Sequence, residues 1–197
     1  MTNFAQKVTS PDPGVINTQC NNARISTMNT ILGAPQLPLS QNCDDTRASQ
    51  KVKGLLVTRN VGPFRVTGIK PFLDLLERVF ARVKGGNPDL YAALGTAGVL
   101  CVRYVRSSSS QVSNHSWGTA IDISMLNLNT GKYELDLPLG DGLVQTGCLE
   151  LYKYFEEEGQ ASGECCFWGG AGFGREDGMH FEASDELVRL WQNQGKI

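Results

Sequence analysis

The chain contains only two histidines, and each lies in a short motif that also carries a carboxylate. The first motif is Ser113-Asn-His-Ser-Trp-Gly-Thr-Ala-Ile-Asp122, and the second is Asp177-Gly-Met-His-Phe-Glu182. A fold that uses both histidines in one site must bring these two distant segments together. Two imidazoles and one carboxylate are a recurrent ligand set for a catalytic zinc, with water in the fourth position. His115, Asp122 and His180 therefore predict one bound Zn²⁺ per chain and a hydrolytic reaction.

Side-chain alternation around the two motifs is typical of β-strands. Ile121 and Ile123 lie on one face of the first predicted strand and Asp122 on the other, and His180 alternates in the same way with its apolar neighbours. If the two strands are adjacent, Asp122 and His180 point to a common place, and His115 reaches it from the preceding turn. Each of the three could instead be a hydrogen-bonded core or surface residue, and spacing alone leaves this alternative open.

Apolar periodicity elsewhere in the chain indicates several helices and one further strand. The helices are predicted over about Arg24–Leu32, Ile69–Val83, Pro88–Ala97, Leu143–Glu158 and Asp185–Gln194, and the strand over Val99–Val105. Ser184 is a suitable N-cap for the last helix. Helices and strands in separate blocks indicate an α+β fold, in which an antiparallel sheet carries the zinc site and helices flank it.

Residues 1–53 are polar and rich in proline, and they predict an N-terminal arm that packs on the domain or precedes it. Residues 54–197 then form the domain. The six cysteines include no C-x-x-C pair, so a structural zinc cluster is not indicated, while their even number is compatible with disulfides. Cys20–Cys43 is the first candidate disulfide, because it would cross-link the N-terminal arm. Cys101 is expected to be a small buried apolar residue.

Composition argues against two kinds of partner. The formal net charge is −2 and the basic residues are scattered, which argues against nucleic-acid binding. The longest nearly apolar run, Tyr91–Val102, is far shorter than the ~20 residues that a membrane-spanning helix needs. The N-terminus also lacks the apolar core and cleavage site of a signal peptide. We therefore expect synthesis in the cytoplasm, no membrane span, and any export by a route that does not use an N-terminal signal.

Asp177 precedes His180 by three positions, on a turn that contains glycine. Zinc lowers the pKa of its bound water to ~7, and a nearby carboxylate can take the proton and pass it to the leaving amine. Asp177 is close enough to His180 to reach this water without binding the metal, so we predict it to be the general base. Glu176 is the alternative for this role, and both could also be solvated loop acids.

Together, the strings S-x-H-x-x-G-x-A-x-D and D-x-x-H-F-E resemble the D-alanyl-D-alanine metallopeptidase family. That family includes D,D-carboxypeptidases and the L-alanyl-D-glutamate endopeptidases of some phage endolysins. The resemblance covers roughly residues 66–191. It implies zinc held by His115, Asp122 and His180, Asp177 as the base, and the stem peptide of peptidoglycan as substrate, reached after export or lysis.

The resemblance also implies an arginine upstream of the first histidine that steadies the substrate carbonyl. Arg103, on the predicted strand, fits this role better than Arg106. Asp177 stands where carboxypeptidases of the family generally have glutamate, which favours the endopeptidase type slightly. Ser113 and Trp168 are predicted to contact the substrate, Trp168 through an apolar surface. The alternative is a zinc-holding, non-catalytic binding module of the same fold, as in hedgehog signalling domains, but the intact base and arginine favour a peptidase.

Overall fold

The computed structural model describes residues 2–106, 108–171 and 175–197. Its strands are β1 Lys7–Thr9, β2 Leu56–Val61, β3 Phe64–Ile69, β4 Leu94–Gly98, β5 Ala120–Asn127, β6 Lys132–Leu135, β7 Leu143–Gln145, β8 Cys166–Trp168 and β9 His180–Ala183. The α-helices are α1 Ile25–Leu32, α2 Gln50–Leu55, α3 Lys70–Gly86, α4 Pro88–Ala93, α5 Thr146–Ser162 and α6 Asp185–Asn193. Short 3-10 helices span Asp45–Arg47, Asn114–Trp117 and Gly169–Ala171.

The main sheet is antiparallel and has the strand order β4-β5-β9-β8, with β6 also paired to β5. Pairing between β5 and β9 sets Asp122 directly opposite His180, and Ala120 opposite Glu182. Phe181 points to the other face, where its ring stacks on Phe155 of α5 at 4.6 Å between centroids. The α+β class is therefore confirmed: α5 covers one face of the sheet, and the opposite face carries the two motifs.

Helix α3 forms because its apolar residues recur every three or four positions and so share one face. Phe72, Leu76, Val79, Phe80 and Val83 are fully buried along it. Burial of each such side chain stabilises the fold by about 1.5–3 kcal/mol. The helix packs against α5, so the main helical layer and the sheet share one core.

The polar residues 2–53 contact the rest of the chain through both backbone and side chains. Strand β1 pairs with β7, and α1 packs on α6 with Met28 and Leu32 fully buried. Disulfides join Cys20 to Cys165 and Cys43 to Cys101. The predicted Cys20–Cys43 pair and the unpaired Cys101 are therefore wrong, because each cysteine of residues 1–53 lies beside a later segment instead of beside the other.

Three predicted elements have different bounds in the structure. The helix that begins at Pro88 ends at Ala93, because Leu94–Gly98 pairs with β5 as β4. Val99–Val105 is not a strand and contributes only an isolated bridge between Tyr104 and Val112. Leu143–Gln145 is a strand, so α5 begins at Thr146. Within the described residues, the structure contains no helix with the length and apolar character needed to cross a membrane.

Candidate active site

His115, Asp122 and His180 converge on one point at the face of the sheet opposite α5. Their nearest ligand atoms all lie within 4.8 Å of one another. Asp122 Oδ1 is 3.1 Å from His115 Nε2 and 3.0 Å from His180 Nδ1. Pairing of β5 with β9 positions Asp122 and His180, and the 3-10 helix Asn114–Trp117 brings His115 to them. Gly118 ends that helix in the left-handed region at φ 66°, which glycine adopts without strain.

The outer nitrogens of both imidazoles already have hydrogen-bond partners. His115 Nδ1 donates to the carbonyl oxygen of Val99 at 2.8 Å, and its Nε2 faces Asp122 Oδ1 at 3.1 Å. His180 Nε2 lies 2.9 Å from the carboxylate of Glu182, and its Nδ1 faces Asp122. His115 Nε2 is buried without a hydrogen bond among the described residues. The inner imidazole nitrogens and a carboxylate oxygen thus face one another, and together they form a donor set that a divalent cation could bind.

The electrostatics of the cluster also favour a positive charge. Burial opposes the charged form of His180, but hydrogen bonds to Asp122 and Glu182 outweigh it and hold the pKa of His180 well above its usual value. Burial likewise opposes the charge of Asp122, but the nearby imidazoles of His115 and His180 keep the pKa of this carboxyl well below its usual range. The three residues therefore fit a metal ion, with Asp122 ionised.

Glu182 is a further residue of the site, and the motif around His180 does not by itself indicate its role. Its side chain is 1% exposed and accepts three hydrogen bonds. The donors are the backbone N–H of Ala23 at 2.9 Å, Nδ2 of Asn114 at 2.6 Å, and His180 Nε2. A carboxylate behind a metal-binding histidine fixes the orientation and tautomer of its ring. The sequence does indicate that Glu182 lies near His180, because a residue two positions later in a strand is on the same face.

A cleft of about 540 Å³ opens over the cluster, and Arg103, Ser113 and Asp177 line it. Asp177 Oδ1 is buried without a hydrogen-bond partner in the described part of the chain. Burial raises the pKa of Asp177 above its usual value, and the nearby Asp122 carboxylate adds to the rise. Glu176 is not among the lining residues, and its carboxylate accepts from the backbone of Gly142 at 3.3 Å. Asp177 is thus the carboxylate of this turn that faces the cleft.

Arg103 lies on an irregular segment that backbone hydrogen bonds hold beside the 3-10 helix. Its carbonyl oxygen accepts from Ser113 N–H at 3.0 Å, and its own N–H donates to Ser116 Oγ at 3.1 Å. The guanidinium donates to the carbonyl of Tyr104 at 3.0 Å. Arg106 also lines the cleft but is exposed, whereas Arg103 is partly buried.

Trp168 does not line the cleft, contrary to the prediction. Its ring is fully buried, stacks on Tyr152 and Phe181, and donates through Nε1 to the carbonyl of Gly178 at 2.7 Å. The alternation of β8 directs this large side chain into the core beneath the sheet. Trp168 therefore stabilises the turn before His180 from inside the molecule and offers no surface to a substrate.

Residues 106–183 match the model of a family described as D-alanyl-D-alanine carboxypeptidase. The match includes both motifs and supports the resemblance to the D-alanyl-D-alanine metallopeptidase family that was drawn from them. At the level of the family, this similarity supports a peptidase that acts on peptidoglycan. No curated protein and no solved structure matches the chain.

Proposed function

We propose that the protein is a zinc-dependent peptidase that hydrolyses the peptide part of bacterial peptidoglycan, with zinc held by His115, Asp122 and His180. The observation that carries the proposal is the convergence of these three groups, whose ligand atoms lie within 4.8 Å of one another. When bound, zinc would polarise the scissile carbonyl and make water a nucleophile at neutral pH. Because the outer imidazole nitrogens are already hydrogen-bonded, the inner atoms would be preorganised for the ion.

Asp177 would act as the general base. Its buried Oδ1 faces the cleft without a hydrogen-bond partner among the described residues, so it is available to a water molecule or a substrate group. The carboxylate would accept the proton of the attacking water and pass it to the leaving amine. Its backbone N–H donates to the Gly169 carbonyl at 2.9 Å, which holds the turn in place during this transfer.

Substrates of both family types place a D-amino acid next to the scissile bond. The aspartate at position 177, in place of the glutamate that is general in carboxypeptidases of the family, favours cleavage between L-Ala and D-Glu over release of a terminal D-Ala. The two cleavage sites can be distinguished by digesting purified muropeptides with the zinc-loaded protein and measuring the masses of the products. We expect new fragments that correspond to one of these scissions. Intact muropeptides after prolonged incubation would refute the proposed function.

Glu182→Gln should weaken zinc binding by ~10- to 100-fold, as is typical when the hydrogen-bond partner of a metal-binding histidine is changed. The amide cannot accept from Ala23, Asn114 and His180 at once, so the His180 ring loses its fixed orientation. Competition with a chelator measures the zinc affinity independently of activity. Glu186→Gln is the matched control, because Glu186 also accepts from the N-terminal segment, at Asn21, but lies away from the cluster. An unchanged affinity in Glu182→Gln would contradict the positioning role.

Arg103→Lys should lower kcat with little change in zinc content or folding. If Arg103 donates to the carbonyl oxygen as negative charge develops, a lysine replaces a planar fork of donors by a point charge. The expected loss is ~2–4 kcal/mol of transition-state stabilisation, the size seen when one oxyanion donor is removed. Steady-state kinetics on a muropeptide measure it. If Arg103→Lys keeps full activity while Arg106→Lys slows the reaction selectively, the role belongs to Arg106.

A further inference from the structure

The arginines of this chain that lack ion pairs are concentrated in the cleft. The chain has ten arginines. Five of them form ion pairs with carboxylates within the described residues, namely Arg47, Arg59, Arg78, Arg82 and Arg189. Of the remaining five, all except Arg65 line the cleft. No lysine lines it. In a chain of net charge −2, this is a selective placement of guanidinium groups around one cavity.

The four arginines of the cleft come from three segments of the chain. Arg24 precedes α1, where its N–H donates to Asp185 Oδ1 at 3.1 Å. Arg103 and Arg106 belong to the segment before the 3-10 helix of His115. Arg175 lies near the loop that contains Gly140, where an added Cβ would be 3.1 Å from that of Arg175. The positive charges of the cleft are thus contributed by three different segments of the chain.

Asp122, Asp177 and Glu182 line the cleft, and none of them forms an ion pair with these arginines among the described residues, although Arg175 lies near enough to Asp177 to lower its pKa. Glu182 is engaged by three hydrogen bonds at the base of the cleft, and Asp122 lies between the two imidazoles. Arg24, Arg106 and Arg175 are exposed above them. Within the described residues, no carboxylate lies within 4.0 Å of these three guanidinium groups. They are therefore free to pair with anionic groups of a ligand.

We infer that the cleft selects a peptide with at least two free carboxylates close to the scissile bond, which names the substrate class within the proposed function and rests on it. Arginine binds a carboxylate through two parallel hydrogen bonds, so one terminal carboxylate occupies one guanidinium fully. With Arg103 directed to the scissile carbonyl, three arginines remain, and one carboxylate does not account for them. Stem peptides whose D-glutamyl unit keeps a free carboxylate meet this requirement, and their amidated forms do not.

The test uses two synthetic stem peptides that differ only in a free carboxylate or a carboxamide on the D-glutamyl unit. We expect kcat/KM to be about tenfold higher for the acidic peptide, mainly through KM, as the loss of one charge-assisted hydrogen-bond pair implies. The ratio of the two kcat/KM values should fall as salt is added, because salt screens the interaction between exposed charges. Arg24→Gln and Arg175→Gln should also reduce the ratio. Arg65→Gln is the control, because this unpaired arginine lies on β3 outside the cleft.

Two outcomes separate the inference from the proposed function. Equal kcat/KM for both peptides, at low and high salt, would overturn the inference and leave the peptidase assignment intact. If neither peptide is cleaved, the proposed function fails, and calorimetric titration of the same two peptides into the protein then decides the inference. Binding about tenfold tighter for the acidic peptide would support it, and equal affinities would overturn it.

Discussion

Asp177→Asn should lower turnover of muropeptides by ~10²-fold or more while the zinc content stays at the wild-type level. The amide has the shape of the carboxylate but does not accept a proton at neutral pH. Asp177 Oδ1 is buried in the cleft without a partner in the described part of the chain, so the substitution breaks no side-chain hydrogen bond at that atom. Initial rates and elemental analysis of the same preparation measure the two quantities together.

Glu176→Gln is the matched control for this result, since Glu176 precedes Asp177 but lies outside the cleft lining. It should keep near-normal turnover. Full activity in Asp177→Asn together with a loss in Glu176→Gln would show that the base is Glu176. If neither substitution mattered and the wild-type protein cleaved no muropeptide, a zinc-holding binding module would be the better description of the chain.

His180→Ala should abolish both zinc binding and peptidase activity. The substitution removes one of three ligands and leaves Glu182 and Asp122 without the imidazole that lies between them. One buried and one half-buried carboxylate without this partner destabilise the site, so circular dichroism must show that the variant folds. Asp122→Asn is a second variant that keeps the side-chain shape and should also lose zinc. One equivalent of zinc in either folded variant would contradict the ligand assignment.

The convergence of Asp122 and His180 could be predicted from the sequence because it depends on a local rule. Side chains in a strand alternate between two faces, so the apolar residues beside each motif fix which face the polar ones occupy. Adjacent strands then bring the two polar faces together, as the register of Asp122 with His180 shows. The same rule places Glu182 beside His180, although its role becomes clear only from the three donors around it.

Other parts of the fold depend on contacts that local patterns do not contain. Residues 94–98 follow a helix without a break and become a strand only because they pair with β5. The pairing of Cys20 with Cys165 and of Cys43 with Cys101 depends on where residues 2–53 lie against later segments. The burial of Trp168 also depends on tertiary contacts, because its ring stacks on Tyr152 and Phe181.

The assignment of His115, Asp122 and His180 as zinc ligands is tested most directly by elemental analysis of the wild-type protein purified without added metal. Three ligand atoms within 4.8 Å of one another, with both imidazoles oriented by outer hydrogen bonds, predict a tightly held ion. We expect about one zinc per chain, retained through dialysis. Less than about half an equivalent, with no gain after zinc is added to the folded protein, would contradict the central claim that this cluster is a zinc site.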